Sequence, residues 1–228
     1  MDFSGKTVVV TGGTGALGSA VVAMLSLHGA TCRVPYVHDA ETQHFPHKDK
    51  TALVPVKNLA DEADVAKLYD GAGGLWASIH IAGGFAPGAV KDTDKATLMG
   101  QIESNLVSCF LCCRAALRAM NNGGRIVNVA ARPALEWRTG AGMSAYTVSK
   151  AGVAALTAAL AEEAVKDGVL VNAVAPSTMD TPANRKAMPK ADFAKWPKVE
   201  DVAATIVFLA SSENRVTRGG IVPVYGQS

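Results

Sequence analysis

The sequence predicts one doubly wound α/β domain, with about seven parallel strands and helices on both faces of the sheet. Short β-branched apolar runs alternate along the chain with longer segments of helical period. The first such run passes directly into a glycine-dense turn and then a helix, Thr11-Gly12-Gly13-Thr14-Gly15-Ala16-Leu17-Gly18. No internal repeat, low-complexity tract or linker-like break interrupts the 228 residues, so 1–228 reads as a single domain.

The elements follow in order. Thr7 to Val10 is a buried strand, and the helix after the glycine turn carries Ala20, Val21, Met24, Leu25 and Leu27 and stops at Gly29. Glycines there let the backbone approach a pyrophosphate, and the helix N-terminus offers free N–H groups and a positive dipole end. The plainer reading is a tight turn with no ligand, which the density of glycines disfavours. Ala30 to Val37 is the second strand. In a dinucleotide fold its tip faces the adenosine ribose, where an acid favours NAD and an arginine NADP. Pro35-Tyr36-Val37-His38-Asp39 places neither at the tip, so the residues lean to NADP(H) over NAD(H). Residues 38–50 read as a polar loop whose His38, His44 and His47 make either a zinc site or, more ordinarily, a solvated surface.

Leu53 to Val56 is the third strand. Asn58-Leu59 follow it, with Asn58 placed to meet an adenine edge, and a helix runs through Val65 to Tyr69. Leu75 to Ala82 is the fourth strand, closed by Gly83-Gly84-Phe85; Ala96 to Met120 is a long helix bent near Asn105. Arg125 to Val129 is the fifth strand, Ala145 to Lys166 a helix, and Leu170 to Val174 the sixth strand. An irregular segment at about 177–198 reads as a lid, before a helix from Glu200 to Leu209 and a last strand from Gly220 to Tyr225.

Bulk properties exclude several classes. A net charge of +2 without a basic block speaks against nucleic acid and anionic membrane. No apolar run reaches the ~18 residues of a span, and the N-terminus lacks the plan of a signal peptide. Of the four cysteines, Cys109, Cys112 and Cys113 crowd one helical segment, a poor disulfide scaffold and a sign of reducing cytoplasm. Their i, i+3, i+4 spacing is compatible with a metal, but no fourth ligand lies nearby in sequence; packing as small hydrophobes is favoured and no metal is expected.

Tyr146 and Lys150 stand four residues apart on the helix of Ala145 to Lys166, on one face. A cation beside a phenol favours the phenolate, so Lys150 is expected to lower the pKa of Tyr146 toward working pH. A surface Tyr and Lys is the ordinary reading of such a pair taken alone.

With these residues assembled, the chain resembles the short-chain dehydrogenase/reductase family over nearly its whole length, which implies a Rossmann-type fold. The family's T-G-x-x-x-G-x-G is Thr11 to Gly18, with Ala16 for a glycine; its N-N-A-G is His80-Ile81-Ala82-Gly83. Its active-site Asn is Asn105, its Y-x-x-x-K is Tyr146 and Lys150, and its P-G-x-x-x-T is Pro176 to Thr181 with Ser177 for Gly. The resemblance implies hydride transfer from a nicotinamide, with Tyr146 as proton donor. It also implies that Lys150 holds the nicotinamide ribose and that Asn105 holds a water for proton return. It implies cofactor contacts from Gly12, Thr14, Ala16, Leu17, Gly18, Tyr36, Asn58, Leu59, Ala82, Gly83, Gly84, Pro176, Thr178 and Thr181. A homodimer or homotetramer through the two long helices is also implied, with Ala151, Ala154, Ala155, Ala158 and Ala161 as a small-residue face, part of which must pack on its own sheet.

One departure bears on chemistry. Where the family places a serine after the fifth strand, this chain has Ala130-Ala131-Arg132-Pro133. By analogy with oxyanion-hole donors, losing that hydroxyl costs carbonyl reduction about 3 kcal/mol. Thr139 and Ser144 are candidates to replace it. Asp180 to Trp196, Ala82-Gly83-Gly84-Phe85 and Gly142-Met143-Ser144-Ala145-Tyr146 resemble the quinonoid dihydropteridine reductase branch, which also lacks the serine. Phe85, Arg132, Trp137, Met143, Met188 and Trp196 are the candidate substrate contacts, with core packing or surface charge as the plain alternative for each. Three functions are compatible: a reductase of a small carbonyl or imine-like acceptor, a dihydropteridine-reductase-like enzyme, and a cofactor-binding regulator that has lost catalysis. Retention of Tyr146, Lys150 and Asn105 together argues against the last.

Overall fold

A computed structural model describes residues 1–43, 45–48 and 51–228. Seven parallel strands form one sheet in the order β3-β2-β1-β4-β5-β6-β7. They are β1 Thr7–Thr11, β2 Thr31–Tyr36, β3 Thr51–Pro55, β4 Leu75–His80, β5 Gly124–Val129, β6 Val169–Pro176 and β7 Ile221–Val224. Parallel neighbours require crossovers, and the chain supplies helices on both faces. The principal ones are α1 Ala16–Leu27, α3 Glu62–Tyr69, α5 Ser108–Ala119, α7 Ser144–Ala164 and α9 Val199–Ala210.

Strand alternation divides the core in two. Val8 and Val10 of β1 point to the side of α1 and α9, where they meet Val21, Leu25, Ile206 and Val207. Val9 points to the opposite side, to a cluster of Leu68, Cys112, Ile126, Val153 and Leu160 under α3, α5 and α7. Both faces are covered, which is why these strands read as unbroken apolar runs.

Two segments depart from the expectation. The polar stretch after β2 contains a short helix, α2, Asp39–Gln43, closed by Glu41, which accepts from the backbone N–H of His38. His44 of the histidine set lies outside the described residues. The expected lid contains another short helix, α8, Pro182–Ala187, with Pro182 at its first position and Thr181 capping the N–H of Asn184 at 3.2 Å. The expected bend near Asn105 is present: α4, Lys95–Gln101, leads into a π-helical turn, Ile102–Val107, before α5 begins.

Strand order reverses direction of growth between β1 and β4, and there the C-terminal ends of both strands open into loops. Ligands of open α/β sheets bind in such a crevice. A tight junction holds it. Gly12 has φ +67°, and a Cβ there would lie 2.8 Å from the nitrogen of Ala82. Thr11 adds a bond from Ala82 N to its Oγ1 at 3.2 Å.

Candidate active site

The crevice is a trough of two adjoining cavities that share Leu17, Ile81 and Gly83. The first, about 320 Å³, lies over the glycine turn and is lined by Gly12, Thr14, Ala16, Leu17, Gly18, Ala82 and Gly83 among others. Helix α1 opens onto it with no side-chain cap and no acid in its first turn, so its leading N–H groups remain available to an anion. These features fit the diphosphate of a dinucleotide. The second cavity, about 230 Å³, brings together Gly84, Phe85, Asn105, Ala130, Ala131, Tyr146, Lys150, Pro176, Ser177 and Met179. A wider groove of about 510 Å³ on the outer side of α1, against Val199 and Glu200 of α9, contains none of the candidate catalytic residues.

Helix α7 presents Tyr146 in its first turn and Lys150 one turn on. Lys150 is buried and donates to the carbonyl of Val129, at the end of β5, at 2.7 Å. Burial pushes its pKa down to about 8, with the Cys109 thiol opposing slightly. The expected depression of the tyrosine is not found. Burial pushes Tyr146 up to about 12, and the ammonium of Lys150 has its hydrogen bond to Val129 O. The ring of Tyr146 meets Phe85 edge-on at 5.0 Å between centroids. Asn105 is buried in the π-helical turn. Its Oδ1 accepts from Gly84 N at 3.0 Å, and its Nδ2 donates to Gly84 O at 3.0 Å and Ser149 Oγ at 3.1 Å. The amide therefore clamps the loop after β4 onto α7. Glycine at position 83 is required, since a Cβ there would lie 2.3 Å from Asn105 Oδ1.

Neither hydroxyl offered as a substitute for the missing serine lines the cavity. Thr139 is exposed and donates to Glu136 O at 2.8 Å, and Ser144 opens α7. The aliphatic hydroxyl that does line it, Ser177, bonds Tyr225 O at 3.0 Å and Ser228 Oγ at 2.7 Å. Of the six candidate substrate contacts, the structure brings only Phe85 into this cavity. Arg132 pairs with Glu136 at 2.7 Å and covers the Tyr225 ring at 4.9 Å. Trp137 is exposed and bonded to Ala134 O. Met143 is bridged to Gly88, and Met188 ends α8. Trp196 packs at a tilt against Phe193, with ring centroids 5.0 Å apart, and Arg185, held by Asp180, covers the Phe193 ring. Arg132, Trp137 and Trp196 thus have partners outside the cavity, a preference that spacing along the chain does not reveal.

Among the candidate cofactor contacts outside the trough, Asn58 spends its Oδ1 on Ala60 N at 2.9 Å. Leu59 packs against the core, Thr181 caps α8, and Tyr36 and Thr178 are half-buried. Two features were missed by sequence reasoning. Glu41 reaches from α2 to the glycine turn and accepts from Thr14 Oγ1 at 2.7 Å. The second is His80, which joins the cysteines: its ligand atom and those of Cys109 and Cys113 lie within 4.8 Å of one another. All three converge on Asn128 Oδ1, at 2.8 Å from His80 Nδ1, 3.3 Å from Cys109 Sγ and 3.5 Å from Cys113 Sγ. Asn128 Nδ2 in turn donates to Thr157 Oγ1 at 2.9 Å, completing a buried polar network.

Comparison with known proteins agrees with this geometry. Residues 13–226 match the family model described as "Enoyl-(Acyl carrier protein) reductase". The chain is 30% identical to a dihydropteridine reductase of Dictyostelium discoideum, over 95% of this chain and 93% of the relative. A short-chain type dehydrogenase/reductase of Mycobacterium ulcerans superposes with a TM-score of 0.92 at 23% identity, covering 100% of this chain and 90% of that one. A blue fluorescent protein from a metagenomic library, solved with NADPH, superposes with a TM-score of 0.89 at 25% identity, covering 100% and 99%. The glycine turn, the switch-point trough and the Tyr–Lys helix thus have one explanation: this chain belongs to the short-chain dehydrogenase/reductase family, as an NAD(P)-dependent enzyme.

Proposed function

We propose that the protein reduces a small, flat, imine-like acceptor with a nicotinamide dinucleotide, and that quinonoid dihydropterin is the acceptor class to test first. One observation carries this reading. Among the described residues, the cavity beside Tyr146 is walled by Ala130 and Ala131 and contains no hydroxyl free to polarise a plain ketone. The dihydropteridine reductase relative supports the same choice. A small ketone or aldehyde is the second reading, favoured by the ordinary chemistry of the family.

When bound, the dinucleotide supplies the hydride, and the protein contributes position and protons. The glycine turn and the N-terminus of α1 take the diphosphate, and the clamp of Asn105 on Gly84 fixes the wall beside the nicotinamide end. Tyr146, with its pKa pushed up to about 12, keeps its proton at neutral pH until an acceptor atom takes it. Lys150, at about 8, has one N–H on Val129 O and others left to reprotonate the phenol or hold a ribose hydroxyl. Phe85 stands edge-on to Tyr146, where it suits a planar ring. Between dinucleotides, the strand tip and the NADPH-bound neighbour favour NADP(H), whereas Glu41 favours NAD(H), as argued below.

A homodimer or tetramer through α5 and α7 fits the exposure of Phe110 and Val148. Ala154 and Ala161 are consumed by their own core, leaving Ala155 and Ala158 for a partner. Four buried free thiols suit a reducing cytoplasm, and among the described residues no helix is long and apolar enough to cross a membrane. The deciding experiment follows NADH and NADPH oxidation against quinonoid dihydropterin, simple ketones and quinones. Turnover of the ketones with none of the dihydropterin overturns the first reading.

A further inference from the structure

The tip of β2 carries no acid, yet an acid is there in space. Glu41, two residues into α2, folds back over the tip: its Oε1 accepts from Val37 N at 3.0 Å and His38 N at 2.9 Å. Its Oε2 accepts from Thr14 Oγ1 at 2.7 Å. Thr14 lines the cavity over the glycine turn, so the carboxylate spans the gap between that turn and the β2 tip. This gap is where an open dinucleotide-binding sheet receives the adenosine ribose. Partial burial opposes ionisation of Glu41, but hydrogen bonds from His38 N, Thr14 and Val37 N outweigh it and hold the carboxyl below its ordinary value. Neither the turn, residues 11–18, nor the segment 36–43 contains a lysine or arginine, and the latter adds a second acid, Asp39. A 2′-phosphate would find a fixed anion and no lysine or arginine from either segment, with His38 the one basic side chain there, whereas a ribose diol would find an acceptor.

We propose that Glu41 is the residue that selects the dinucleotide, accepting from the adenosine ribose hydroxyls of NAD(H) and repelling the 2′-phosphate of NADP(H). The inference rests on the nicotinamide-dependent reading above. The ordinary role for Glu41 is structural, since a glutamate reaching back to the N–H of His38 is the reciprocal half of a capping box. Glu41→Gln separates the two roles. It keeps a carbonyl acceptor for the capping bonds and removes the charge.

The test measures dissociation constants of NADH and NADPH by fluorescence titration, at fixed ionic strength, for wild type and Glu41→Gln, with Tm as the structural readout. Wild type is expected to bind NADH ~100-fold more tightly than NADPH, and Glu41→Gln to shrink that ratio at least ~10-fold at nearly unchanged Tm, because one fixed charge faces one phosphate. Tighter NADPH binding by wild type, or an unchanged ratio in the variant, overturns the assignment while leaving the dinucleotide reading intact. Failure of wild type to bind either dinucleotide overturns both. Should Glu41→Gln unfold, Glu41→Asp serves instead: its shorter side chain withdraws the charge from Thr14, and the same narrowing of the ratio is required.

Discussion

Replacing Lys150 by Met should abolish turnover and yet leave the protein at least as stable at neutral pH. Lys150 is 6% exposed, and burial lowers its pKa from 10.5 to about 8. At about 1.4 kcal/mol per pH unit, keeping this ammonium charged costs the folded state about 3 kcal/mol. Met fills a similar volume without a charge. It forfeits the bond to Val129 O, worth about 1–3 kcal/mol, so the two effects nearly cancel and the balance tilts toward stabilisation. The sign with pH is definite. Between about 8 and 10.5 the unfolded chain holds the proton that the folded chain has released, so the wild type gains stability as pH rises through this window. Relative to Lys150→Met, that gain amounts to about 2 kcal/mol between pH ~7.5 and ~9.5. Urea denaturation of both proteins at the two pH values, beside their NAD(P)H oxidation rates, measures it. A variant destabilised by ~3 kcal/mol or more at neutral pH, or a stability difference that does not move with pH, refutes the account of Lys150 as a costly buried cation.

Three further outcomes are expected. Tyr146→Phe keeps the edge-on contact with Phe85 and should bind dinucleotide as wild type does while losing ~10²–10⁴-fold in kcat; full activity would remove Tyr146 as proton donor. Asn105→Ala strips Gly84 and Ser149 of three bonds and should cost ~2–4 kcal/mol in chemical denaturation, with KM for the dinucleotide rising as the loop after β4 loosens. Asn128→Leu deprives His80 and two thiols of their shared acceptor and should cost ~3 kcal/mol or more; a neutral effect would mean the network around Asn128 adds nothing to stability.

The sequence by itself determined the layers and the place of the trough. Alternating periods imposed a parallel sheet with two covered faces, and Thr11 to Gly18 followed a strand and opened a helix, the context that gives such glycines their meaning. The i, i+4 spacing of Tyr146 and Lys150 survives as helical geometry on α7, whereas Asn105, in the π-helical turn of another helix, was pointed to by family resemblance and not by spacing. Only the tertiary structure decided where their polar atoms point. Lys150 sits one turn from Tyr146 on α7, but its ammonium is taken by Val129, which comes from β5; no pattern within one helix encodes a bond to another strand. His80 and the cysteines of α5 are far apart in sequence and meet on Asn128 for the same reason. Spacing along one element could not relate Glu41 to Thr14 either, since their contact spans 27 residues and depends on β2 lying beside β1. Local periodicity fixes which face a residue occupies; which partner it finds across the sheet is fixed by strand order and by the loops that return over its edge.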